Sequence, residues 1–142
     1  MDIRPITPDY AVSPQIEPGD LVAIKAAGYT TVIDNRPDGE IPPHLHTGVM
    51  QAAAEALGLV FVVNPVIGGM LSPDNVARQR AAIEGAAGPV FAYCASGNRS
   101  SVVWALAEAA KRPVEDLIGL PARFGYQLEH LRRDLEAAAQ VK

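Results

Sequence analysis

The stretch of this chain best equipped for chemistry is Tyr93-Cys94-Ala95-Ser96-Gly97-Asn98-Arg99-Ser100-Ser101, which contains the only cysteine among 142 residues. A thiol stands where a short apolar run ends, and a guanidinium stands five positions later. Backbone N–H groups of a loop this tight converge on one point. The helix that follows adds the partial positive charge of its free amides, and Arg99 can hold two oxygens at once. The same field favours thiolate over thiol, lowering the cysteine pKa from about 8.5 to roughly 3.5–7.5 and giving a nucleophile at neutral pH. Gly97 answers the need of such a loop for an unusual backbone angle or a close approach. Ser100 or Ser101 is expected to steady the sulfur. For Cys94 alone, a buried structural thiol is the simpler reading. Gly97, Arg99 and the serine pair, set between a strand and a helix, favour the catalytic one.

Other candidates are weaker. Arg36 ends a strand, where open α/β sheets bind ligands, and is either a second positive contact or a surface partner of Asp38 or Glu40. Asp34 and Asn35 brace the same loop. His44 and His46 have no cysteine or acidic partner at a metal-ligating spacing, so no metal is expected, and nothing implies a cofactor. His130 reads as a polar position of the last helix and receives no role. Trp104 and Tyr126 read as packing residues, with residues 124–126 at the border of the pocket.

The elements that must position these residues follow from the apolar pattern. Pro5, Pro8, Pro14 and Pro18 punctuate the first twenty residues, which suits short strands around Ile3 and over residues 10–12 closing one sheet edge. Pro18-Gly19-Asp20 opens a helix that Gly28 stops. Strands are expected over residues 29–34, 59–64 and 90–93, and helices from Pro43 to Leu57, from Ser72 to Ala86 and from Ser100 to Ala110. A short helix over residues 113–119 and a long one over residues 123–139 complete the chain. Strands alternating with helices imply right-handed βαβ units. The expected class is therefore α/β, a mainly parallel central sheet with helices on both faces.

Size and charge narrow the function. With 12 Lys and Arg against 16 Asp and Glu, the formal net charge is −4, and no basic stripe with interleaved aromatics offers itself to nucleic acid. The length suits a single domain over residues 1–142 with a core of its own. The opening residues lack the basic-then-apolar design of an export signal. Every apolar run is broken well before about 18 residues, so a reducing cytoplasm and no membrane contact are expected. A small anion remains as the partner; no protein partner is indicated.

Residues 31–40 (TVIDNRPDGE), the Asn64-Pro65 loop with its Ser72-Pro73-Asp74 helix start, and Tyr93-Cys94 through Arg99-Ser100 together resemble the phosphatase-like domain of beta-lactamase-hydrolase-like proteins. The resemblance covers nearly the whole chain. It implies a fold of the dual-specificity and tyrosine phosphatase type, with Cys94 as nucleophile and Arg99 as the anion-binding arginine.

Two departures from the ordinary phosphatase pattern bear on the reaction. Only Ala95, Ser96, Gly97 and Asn98 separate Cys94 from Arg99, where such phosphatases have five residues, and Tyr93 stands where they usually have His. A six-residue loop of this kind resembles that of rhodaneses, which carry sulfur as a cysteine persulfide. Phosphatases of this type also protonate the leaving oxygen with an Asp on the loop after the preceding strand, worth about 10²–10⁴-fold. Here that loop begins Asn64-Pro65. The nearest acid is Asp74, which a helix start already explains. Sulfur transfer needs no such acid, and the sequence places it slightly ahead: Cys94 takes sulfur from thiosulfate or a persulfide and passes it to an acceptor thiol. Hydrolysis of phosphomonoesters through a cysteinyl-phosphate stands close behind. A catalytically silent anion- or phosphoprotein-binding module is the third reading.

Overall fold

The computed structural model describes residues 1–140; the last two residues of the expected single domain lie outside the described residues. Five strands form one mixed, mostly parallel sheet. They are β1 (Arg4–Thr7), β2 (Tyr10–Ser13), β3 (Thr31–Asp34), β4 (Val60–Val63) and β5 (Val90–Tyr93), in the order β1-β2-β5-β3-β4. β1 and β2 make an antiparallel hairpin, and β2, β5, β3 and β4 run parallel. The first segment therefore does more than close an edge. β1 forms the edge, while β2 pairs directly with β5, the strand that carries Cys94.

Every residue of β5 is buried, because helices cover both faces of the sheet. Val90 and Ala92 face a core shared with α3 (Pro73–Gly85), α4 (Asn98–Ala107), α5 (Val114–Ala122) and α6 (Arg132–Ala139). Phe91 and Tyr93 face the other core, with Leu21 and Ile24 of α1 (Leu21–Ala26) and Met50 and Ala54 of α2 (Thr47–Ala56). This alternation on a doubly covered strand is why residues 90–93 read as a continuous apolar run. Each large apolar side chain so buried contributes roughly 1.5–3 kcal/mol. Trp104, fully buried, stacks on Tyr10 with ring centroids 5.9 Å apart, as expected of a packing residue.

The C-terminal third differs from expectation. A single long helix over residues 123–139 does not form. Instead α5 runs on through Pro121 to Ala122, the chain turns at Gly125 in the left-handed region (φ +89°), and α6 begins only at Arg132. Pro121, which has no N–H to donate into the helix, stands one residue before its end. The turn carries Tyr126 inward, to 6% exposure. No helix among the described residues is long and apolar enough to cross a membrane.

Candidate active site

The four parallel strands end side by side at Ser13, Tyr93, Asp34 and Val63, so the residues just beyond them, Cys94, Asn35 and Asn64, gather at one rim of the sheet. Such rims are where open α/β sheets place ligands. Cys94 is 1% exposed, and its N–H donates to the Ser13 carbonyl at 3.4 Å. The chain then coils around the sulfur. Gly97 takes φ +96°, and its N–H donates to Cys94 Sγ at 3.1 Å. The amides of Ala95, Ser96, Arg99 and Ser100 donate to no acceptor among the described residues. The sulfur thus sits in a loop whose arc of free amide donors opens α4, a helix of ten residues.

Arg99 closes this arc and is itself held. Its Nη1 donates to Glu40 Oε2 at 2.8 Å and to the Val66 carbonyl at 2.7 Å, and its Nη2 donates to Glu40 Oε1 at 2.7 Å. A guanidinium has five N–H donors. Three are committed, so Nε and one hydrogen of Nη2 stay available for an anion. The Glu40 carboxylate is the main cause that raises Arg99 further above its ordinary pKa, and the nearby Cys94 sulfur adds to it. In return, Arg99 holds the Glu40 carboxyl below its usual range. Arg36 reaches Glu40 less closely, at 3.4 Å, and donates to Gln15 Oε1 at 3.2 Å. It is thus the partner of Glu40, one of the two readings its position allowed, and it supports the arginine of the loop through that shared carboxylate. Asp38 bonds elsewhere, accepting from the amide and hydroxyl of Thr47.

Behind the loop lies a buried polar network. Ser100 Oγ donates to Asn35 Oδ1 at 2.9 Å. Asn35 Nδ2 donates to Gln79 Oε1 at 3.0 Å and to the Asn64 carbonyl at 2.9 Å. Asn64 Nδ2 donates to the same Gln79 oxygen at 2.7 Å, and Gln79 Nε2 donates to Tyr10 Oη at 3.0 Å. Tyr10 in turn donates to the Ser100 carbonyl at 2.8 Å. All five residues are at most 1% exposed. A satisfied network of this kind fixes the positions of β2, β3, α3 and α4 relative to one another.

On the other side, Arg4 Nη1 donates to Tyr126 Oη at 2.6 Å, and the Tyr126 hydroxyl donates to the Ser96 carbonyl at 2.7 Å. A Cβ on Gly97 would lie 2.1 Å from that same hydroxyl. Glycine is therefore required there for space as well as for its backbone angle.

The structure brings Cys94, Gly97, Arg99 and the loop residues Ala95, Ser96 and Asn98 together, and corrects the expectations for the serines and for His130. Neither serine hydroxyl is directed to the sulfur: Ser100 donates to Asn35, and Ser101 donates to the Gly97 carbonyl at 2.8 Å, one helical turn back. Asp74 sits in the first turn of α3 behind the Ser72 cap, the helix-start position read from the sequence. His130 belongs to a short 3-10 turn before α6 rather than to the surface of a long helix. It lines a cleft of about 600 Å³ that also takes in Asn98, Arg99, Val66, Val102 and Asp134. Asp34 braces its loop as expected, accepting from the Arg36 amide at 2.9 Å and the Thr47 hydroxyl at 3.1 Å; burial pushes its carboxyl upward. His46 turns a ring nitrogen to the Ile41 carbonyl at 3.0 Å, and His44 lies 3.8 Å from Glu17.

Sequence reasoning missed Gln79, Tyr10 and Arg4, and saw Glu40 only as a partner for Arg36. For Gln79 a signal existed, a long polar side chain on the face of α3 turned to the sheet. For Arg4 there was none, since its partner is 122 positions away.

Comparison with known proteins agrees with this fold. Residues 2–111 match the family "Beta-lactamase hydrolase-like protein, phosphatase-like domain". A beta-lactamase hydrolase-like protein of Xylella fastidiosa is 33% identical over 108 residues, which are 76% of this chain and 25% of that protein. The chain thus spans about a quarter of the length of the curated relatives it matches. Among solved structures, a candidate phosphatase of Neisseria meningitidis superposes with a TM-score of 0.82 at 31% identity, covering 97% of this chain and 99% of that one. Pseudomonas aeruginosa TpbA, solved as a Cys-to-Ser variant in complex with pTyr, shares the fold at a TM-score of 0.63 and 16% identity, covering 94% and 80%.

Proposed function

The chain belongs to the family of phosphatase-like domains of beta-lactamase hydrolase-like proteins, and from that premise we propose that it hydrolyses phosphomonoesters through a covalent intermediate on Cys94. The observation that carries the proposal is a sulfur that accepts from the Gly97 amide, in a loop where four further amides have no acceptor among the described residues and Arg99 keeps two uncommitted N–H donors. Oxygens of a phosphoryl group take these donors, which strengthen as charge gathers on them in the transition state. The thiolate attacks phosphorus, the P–S bond forms and the P–O bond to the alcohol or phenol breaks. Water then attacks the cysteinyl-phosphate, releasing inorganic phosphate and restoring the thiolate.

Asn64 commits its amide to Gln79 and Asn75, and no carboxylic acid stands beside it on the loop. The leaving oxygen departs without a carboxylic proton donor from that direction, which favours a phenolate, of pKa about 10, over an alkoxide. Aryl phosphates are therefore the preferred substrate class. Likeness along the full chain to a candidate phosphatase is what moves the balance from sulfur transfer to hydrolysis.

Sulfur transfer keeps a specific observation in its favour. Four residues between Cys94 and Arg99 make a smaller ring than five, and one sulfur atom fills it more easily than a phosphoryl group. Parallel assays separate the two. Phosphate release from an aryl phosphate, abolished in Cys94→Ser, supports hydrolysis. Cyanide-dependent thiocyanate from thiosulfate, with no phosphate release, rejects it. Anion binding without turnover, unchanged by Cys94→Ser, favours a silent binding module.

A further inference from the structure

The orientation of one peptide decides whether the sulfur of Cys94 receives its closest amide donor. The carbonyl of Ser96 and the N–H of Gly97 belong to the same planar trans peptide and point in opposite directions. Tyr126 holds the carbonyl end at 2.7 Å, and Cys94 Sγ receives the N–H end at 3.1 Å. Turning this peptide over would aim a carbonyl oxygen at the sulfur and repel a thiolate. Ser96 is exposed and Gly97 is a glycine, so the loop's own residues resist such a turn little.

The brace is directional. Arg4 can only donate, and it donates to Tyr126 Oη at 2.6 Å, so the single phenolic proton is left for the Ser96 carbonyl. The Arg4 guanidinium also lies over the Tyr126 ring, 5.6 Å from its centroid, and Asp2 holds Arg4 from the far side at 2.5 Å. Tyr126 occupies the space that a side chain on Gly97 would fill. Three separate segments, the start of β1, the turn after α5 and the cysteine loop, thus converge on one peptide plane.

We infer that Arg4 and Tyr126 are positioning residues, a relay that locks the Ser96–Gly97 peptide with its N–H toward Cys94, the orientation that favours a thiolate over a thiol. The inference rests on the reading of Cys94 as the nucleophile. Burial raises the Tyr126 hydroxyl above its ordinary pKa, which keeps it protonated and donating at neutral pH. The titratable groups coupled to the sulfur are Arg99 from α4, Tyr126 from the turn after α5 and Tyr10 from β2. Arg99 is the cation among them, and Glu40 is its partner.

The chain has one cysteine, so protein labelled with ¹³C at the cysteine Cβ gives one resonance whose pH titration reports Cys94 alone. Tyr126→Phe keeps the ring and removes the hydroxyl. It is expected to raise the titration midpoint by about one pH unit, about tenfold less thiolate below both midpoints, as the loss of a hydrogen bond to a charged group implies. Arg4→Met should shift it the same way by less, and Arg4→Lys, which restores a donor, should return it toward the wild-type value. A purely structural role for Tyr126 predicts a lower melting temperature with the midpoint in place. A midpoint unmoved in folded Tyr126→Phe overturns the inference, and if that variant does not fold, an unmoved midpoint in Arg4→Met does so. The titration uses no substrate. Wild-type protein that turns nothing over, with the shift present in Tyr126→Phe, would overturn the functional reading alone.

Discussion

Glu40 meets Arg99 with both carboxylate oxygens, at 2.7 and 2.8 Å, and so presents the remaining N–H groups of the guanidinium in one fixed direction. Because Arg99 lowers the Glu40 carboxyl, the pair favours the folded loop at pH values above the ordinary carboxylate value of 4.5, and that contribution is lost as pH falls through the lowered value. Turnover should therefore show an acid limb below about pH 4.5 that Glu40→Gln removes, since glutamine does not titrate. The same variant should lower kcat/KM for an aryl phosphate about tenfold at neutral pH, the cost of about one charge-assisted hydrogen bond. Steady-state rates across pH for both proteins check it, and coincident acid limbs would count against the pairing. At this scale the sequence was legible where the chemistry is local. Cys94, Gly97 and Arg99 sit within six residues, and a strand-loop-helix context suffices to read them. Glu40 lies 59 positions from Arg99, and no spacing rule joins them. The serines were misread because a hydroxyl near a cysteine looks like a partner until the fold offers Ser100 the side-chain oxygen of Asn35 as acceptor.

Among the elements, α3 adds buried polar contacts to its apolar packing against the sheet. Gln79 is its buried side chain, and it satisfies Asn35, Asn64 and Tyr10 at once. Gln79→Leu leaves those three with unmet hydrogen bonds in a buried site. Each such group costs about 1–3 kcal/mol, so a loss of about 3 kcal/mol or more in unfolding free energy is expected, read from urea denaturation. A loss below about 1 kcal/mol would mean that water replaces the glutamine. The strands and most helices were legible because β3, β4 and β5 are short apolar runs between glycine, proline and asparagine signals, and Ser72-Pro73 caps α3 as its residue types demand. The last helix was not. Apolar periodicity over residues 123–139 suggested one continuous element, while Gly125 takes a left-handed turn so that Tyr126 can reach Ser96. A tertiary contact decided the boundary, and the sequence of the segment alone does not contain it.

For the molecule as a whole, sheet order matters more than any single element. Placing β5 between β2 and β3 brings the cysteine loop between a hairpin that supplies Arg4 and Tyr10 and a strand that leads to Asn35, Arg36 and Glu40. Parallel pairing then sets all their ends at one rim, so the anion site is assembled from segments spread along the chain. The α/β class and the rim location follow from the alternation of strands and helices. The order of the strands does not, and with it the partners of Cys94 and Arg99 stayed hidden. The account stands on a covalent bond at Cys94, and intact-mass spectrometry after rapid acid quench during turnover of an aryl phosphate tests it most directly. The account predicts wild-type protein heavier by one phosphoryl group, mapped to Cys94 and absent in Cys94→Ser. Phosphate release at the wild-type rate from Cys94→Ser, with no adduct on the cysteine at any quench time, would contradict it.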